Sequence, residues 1–171
     1  MHGRAAVGPD AGVVGFLHVT TDQAAPHEPV DPSGLPRALF AFPGPLRDRL
    51  VAAILDGTKT TTTSLLVEYA RAREPLPAVG DRSAVIDSAD QPVAVIETTD
   101  VQVVPLEAVD EEHAAGEGEG HATVEAWRAD HEEFWHSAEA REALGDPDFT
   151  VSDSTPVVLE RFRLAADLRS R

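Results

Sequence analysis

The chain has 171 residues, 42% of them apolar, 26% charged and none of them cysteine. That length fits one domain with a real core, and the missing cysteines exclude disulfides, thiolate zinc sites and cysteine nucleophiles together. No run approaches the roughly 18 uncharged apolar residues of a membrane helix. The first twenty residues lack a basic region followed by an apolar core. The expectation is a cytoplasmic protein with no membrane attachment.

Acids number 30 against 14 bases, a balance of −16. The excess is local: Asp100 to Asp153 holds 16 acids against Arg128 and Arg141 alone, which is −14 and leaves −2 for the rest. A field of that sign repels polyanions, so a nucleic acid would have to dock on the near-neutral part.

Residues 1–36 read as a flexible, disordered tail, interrupted by Pro9, Pro26, Pro29, Pro32 and Pro36. Within it, Val13 to Val19 has β-type composition but no evident partner. The folded domain then spans 37–171. Pro45 opens a helix over 45–56, carried by Leu46, Leu50 and Ile54 and stopped by Gly57. The β-branched run Thr60 to Thr63 favours a strand, and Leu65 to Arg73 a short helix. Ser83–Asp87 and Val93–Val104 read as a hairpin around Ala89 to Pro92, with a long, bent second strand. Asp110 suits the N-cap of a helix that Gly116 and Gly118 end. Thr123 caps the next, whose Val124, Trp127, His131, Phe134 and Trp135 form one apolar stripe running to about Leu144. Pro156–Leu164 reads as a terminal strand. Helices mixed with antiparallel strands predict an α+β fold with a small curled sheet.

Lys59 is the only lysine among the 14 bases. Gly57, Lys59 and Thr62 form G-x-K-x-x-T where a helix stops and a strand starts. On a straight strand Lys59 and Thr62 face opposite sides, whereas Thr61 and Thr63 share the parity of Lys59. Parity and motif therefore leave the working hydroxyl open. Downstream, Glu117 and Glu119 alternate with Gly116, Gly118 and Gly120, so the backbone can turn sharply and carry a carboxylate close to another segment. The histidines at 113, 121, 131 and 136 fit no zinc spacing and no H-E-x-x-H is present, so no metal and no cofactor are expected.

In order along the chain stand G-T-K-T-T-T (57–62), Ser64-Leu65-Leu66-x-Glu68-Tyr69, Glu74-Pro75-Leu76-Pro77-x-Val79-Gly80-Asp81 and Val95-Ile96-Glu97-Thr98-Thr99-x-Val101. Glu117-Gly118-Glu119-Gly120, Trp127-Arg128 and Val158-x-Glu160-Arg161-Phe162 follow. The series, over about residues 39–165, resembles an ASCH domain of the PUA-like superfamily. The resemblance implies a small PUA-like β-barrel flanked by helices and a cleft holding the G-x-K-x-x-T turn. It also implies RNA or a nucleoside-like ligand as partner. In hydrolase members that remove the acyl group of N4-acetylcytidine, the working residues carry over to Lys59, Thr62 and Glu117. Non-catalytic RNA or ligand binding and ribonuclease activity are the alternatives. Gly57, Thr61, Thr63, Arg71, Arg73 and Glu119 are the expected ligand-binding set, and Arg47, Arg49, Arg71, Arg73 and Arg82 a possible positive rim. Either Lys59 or Glu117 can serve as the base, with the other stabilising charge.

Overall fold

Valine, isoleucine and threonine crowd two segments that form the long strands of the fold, β5 (Pro92–Pro105) and β6 (Pro156–Asp167). The computed structural model describes residues 16–17 and 31–169. In chain order the other elements are β1 (Phe16–Leu17), β2 (Arg37–Leu39), α1 (Pro45–Asp56), β3 (Thr61–Leu65), α2 (Leu66–Ala72), β4 (Arg82–Ile86), α3 (Glu111–Gly116), α4 (Val124–Trp135) and α5 (Ala138–Leu144).

The sheet order is β1-β2-β4-β5-β6-β3. β2 runs parallel to β4; the other pairings are antiparallel. β4 pairs only with the first half of β5, and β3 only with the first half of β6, so the two long strands link two half-sheets. Register shifts at Val95/Ile96 and Thr98/Asp100 bend the sheet between them. Each half has its own core. α1 packs Leu50, Val51 and Ile54 with Phe40, Val85, Ile96 and Phe162 on one half. α3, α4 and α5 pack Ala114, Trp127, Trp135 and Leu144 with Leu65, Leu106 and Val157 on the other. The α+β class read from the sequence holds. Among the described residues no helix is long and apolar enough to cross a membrane.

Local differences have physical causes. The helix read through to Leu144 is two helices: Ser137 accepts a hydrogen bond from the Ala140 N–H and starts α5 afresh. β2 is too short to show a period, and β6 runs three residues beyond Leu164. Most of the expected 1–36 tail lies outside the described residues. The exceptions are β1, which pairs Phe16 with Leu39 and Leu17 with Ala38, and a 3-10 turn at Pro32–Gly34 capped by Asp31. Phe16 and Leu17 of the apolar island thus have a strand partner.

Candidate functional site

The site begins where α1 stops. Gly57 takes φ 84°, and its N–H bonds the Ile54 carbonyl, closing the helix in the left-handed cap glycine favours. The chain then crosses to β3, tied by Lys59 N–H to Ala53 O at 2.9 Å and Thr60 N–H to Gly116 O at 2.7 Å. The second bond holds the end of α3 against the start of β3. A Cβ on Gly116 would lie 2.8 Å from Thr61 Oγ1, and one on Gly118, at φ 69°, would lie 2.9 Å from the Lys59 nitrogen. Only glycine lets the Glu117 turn approach that closely.

Lys59 enters this junction and is 2% exposed. Its Nζ donates to Thr61 O at 3.0 Å, Glu117 O at 3.1 Å and Glu117 Oε2 at 3.3 Å. Three acceptors match the three donors an ammonium offers. The Phe40 ring lies 5.5 Å from Nζ. Glu117 Oε1 accepts from the Thr63 hydroxyl at 2.7 Å, and His113 Nε2 lies 2.9 Å from the same hydroxyl. With Thr63 donating to the carboxylate, His113 donates to Thr63. Thr61 Oγ1 donates to His113 O at 2.8 Å. His131 Nε2 stands 3.7 Å from Glu117 Oε1.

Burial alone would raise the carboxyl of Glu117, but Lys59, His131 and His113 outweigh it and hold Glu117 ionised, far below the usual range. Burial lowers His113 against the opposing pull of Glu117. Burial also opposes charge on His131, yet Glu117 and Glu119 raise it.

Strand alternation decides the threonines. Thr61 and Thr63 face Lys59 and Glu117, whereas Thr62 lies directly across from Glu160 on the other face. The structure therefore brings Lys59 and Glu117 together with Thr63, and leaves the motif threonine, Thr62, outside that hydrogen-bonded group.

Beside the buried centre is a cavity of about 380 Å³ lined by Leu46, Arg49, Leu50, Gly118, Glu119, His121, Asp130, His131 and Phe134. Of the residues expected to bind a ligand, Glu119 lines it; Gly57, Thr61, Thr63, Arg71 and Arg73 are not among its described lining residues. The arginine rim does not assemble. Arg47 is buried on the Ala41 carbonyl, Arg71 pairs with Asp146, and Arg82 pairs with Glu97. Only Arg49 of that set reaches the cavity. His121, Asp130 and His131 were not singled out from the sequence as ligand-facing. They come from a loop and α4, and no spacing links them to Arg49 on α1. The one local signal was His131, a polar residue within an apolar stripe. Spacing also argued against a metal, yet Glu117, Glu119 and His131 place one ligand atom each within 4.8 Å of one another.

Fold and site together define a small PUA-like α+β module, in which a lysine–glutamate pair is buried behind a ligand-sized cavity. The chain belongs to the ASCH domain family, whose model matches residues 38–166. ASCH domains are PUA-like modules of the RNA-binding type. Two solved structures are similar. Protein EF3133 from Enterococcus faecalis V583, of family DUF984, is 29% identical with TM-score 0.62, covering 71% of this chain and 70% of that one. The ASCH domain from Lactobacillus crispatus JV V101 is 28% identical with TM-score 0.61, covering 70% and 72%. No curated protein matches the chain.

Proposed function

We propose that this ASCH domain binds a nucleoside-like ligand in the cavity beside Gly118 and hydrolyses an acyl amide on it, as N4-acetylcytidine carries. The observation that carries this reading is the Lys59–Glu117 pair directly behind a cavity of small-molecule size. In it, the Glu117 carboxylate accepts a threonine proton, and the Lys59 ammonium fixes that carboxylate and offsets developing negative charge. Geometry supports Thr63 as the hydroxyl, which already donates to Glu117. The family resemblance supports Thr62. The −16 balance and the dispersed arginines favour a single nucleoside over a long RNA, because few cations are left to face phosphates.

A second reading has its own support. The side chains of Lys59 and Glu117 are 1% and 3% exposed, as in a pair that shapes a binding site without doing chemistry. The test is turnover of N4-acetylcytidine by wild type, Glu117→Gln, Thr62→Ala and Thr63→Ala, alongside nucleoside binding by calorimetry. Hydrolysis requires a loss of about 10²-fold or more in Glu117→Gln and in one threonine variant. Saturable binding with no wild-type turnover establishes the non-catalytic reading, and neither binding nor turnover overturns both.

A further inference from the structure

The inner wall of the cavity collects groups that the hydrolytic reading does not use. His131, on α4, donates Nδ1–H to the Trp127 carbonyl at 2.9 Å. A carbonyl only accepts, so the other nitrogen, Nε2, is left as the lone-pair atom of the neutral ring, and it points at Glu117 Oε1. Glu119 joins them from the glycine loop. Next to His131, with ring centroids 6.5 Å apart, stands His121. Its Nε2 is held by Asp130 at 2.7 Å, and its buried Nδ1 has no hydrogen-bond partner. Two imidazoles, each fixed through one nitrogen by an oxygen, His131 with its Nε2 turned to Glu117 and His121 with its Nδ1 unpartnered among the described residues, match the usual outer arrangement of metal-ligating histidines.

We propose that Glu117, Glu119 and His131 form a site for one divalent transition-metal ion of the Mn²⁺ to Zn²⁺ series, with His121 beside it. The ion would take Oε1 of Glu117, an oxygen of Glu119 and Nε2 of His131, and its remaining positions would open into the cavity. Imidazole with carboxylate suits these ions better than Mg²⁺ or Ca²⁺, which prefer oxygen alone. Lys59 does not preclude it, because its ammonium engages Oε2, while Oε1 accepts the Thr63 hydroxyl with one lone pair and can offer the other to the ion. Lys59, Glu117 and Glu119 with a neutral His131 sum to −1, and the −14 of residues 100–153 adds a field that attracts a dication.

The chain supplies its own reporter. Its two tryptophans flank His131, Trp127 at 4.2 Å and Trp135 at 5.3 Å between ring centroids. Zn²⁺ titration by calorimetry should show one saturable site, and Co²⁺ competing for it should quench the tryptophan emission. Glu119→Gln and His131→Gln should each weaken Zn²⁺ by at least about tenfold, whereas Glu139→Gln on α5 should leave it unchanged. Glu119 sits half-buried on a loop, so its variant tests the site even if His131→Gln unfolds. Absence of saturable Zn²⁺ binding, or binding that survives Glu119→Gln undiminished, overturns the site. Metal binding and turnover are read separately, so either proposal can fail alone.

Discussion

Glu117 and Glu160 are both 2% exposed and reach opposite faces of β3, yet they take opposite protonation states. Glu117 has the Lys59 ammonium 3.3 Å away and is held ionised. Glu160 lies across from Thr62, accepts one hydrogen bond from Thr98 at 2.6 Å, and leaves Oε2 without a partner. Burial pushes its carboxyl to about 7 against the opposing hydrogen bond from Thr98, with a lesser repulsion from Asp81. Glu68, whose Oε2 accepts the Leu65 N–H, is pushed by burial to about 8. Burial is the same for all three; a cation within reach is what separates a charged glutamate from a neutral one. The single lysine of the chain thus decides on which face of β3 charge is stored.

The largest break in this comparison removes the cation. Lys59→Met leaves Glu117 buried without its main partner and should cost about 3–5 kcal/mol in urea unfolding near neutral pH. Adding Glu117→Gln should recover part of that loss, because the orphaned charge is gone. Equal stability of Lys59→Met and wild type would refute the role given to the pair.

The opposite face answers through pH. The folded state holds a proton on Glu160 up to about 7 and on Glu68 up to about 8, whereas the unfolded chain releases both near 4.5. Their stabilisation is complete below about 4.5 and is lost as pH rises through 7 to 8. For Glu160 the loss is on the order of 3 kcal/mol. Glu160→Gln, neutral at every pH, should flatten the decline between pH 5 and 8 and be more stable than wild type at pH 8. Parallel slopes for the two proteins in unfolding series would contradict the assignment. Glu117 acts in the reverse sense, its contribution fading only as pH falls well below 4.5.

The smallest effect separates neighbouring threonines. Thr63→Val removes the hydroxyl between His113 and Glu117 and should cost about 1.5–3 kcal/mol, the range for a hydrogen bond to a charged group. Thr62→Val, on the other face, should cost less, and the reverse order by thermal or chemical unfolding would move the functional face to the Glu160 side.

Much of this was legible from residue order. Pro45 and Gly57 bracket α1 as helix chemistry requires, and the glycines around Glu117 announced a close approach that the 2.9 Å at Gly118 makes concrete. Strand parity already paired Thr61 and Thr63 with Lys59, against the motif's Thr62. Two things were not legible. β2 joins the sheet by a parallel pairing with β4, which local pattern cannot reveal. The cavity draws Arg49, His121 and His131 from three separate elements, so only packing brings them together. The arginines looked like a rim because they cluster in sequence; their carboxylate and carbonyl partners lie 6 to 75 residues away.

The most direct measurement is the carboxyl carbon titration of Glu117 by NMR in wild type and in Lys59→Met. The account predicts no titration of Glu117 in wild type down to the lowest pH at which the chain stays folded, and a rise in Lys59→Met toward the neutral range where Glu160 titrates. A Glu117 that titrates near 4.5 in both proteins would show that Lys59 does not set its charge, and would contradict the account.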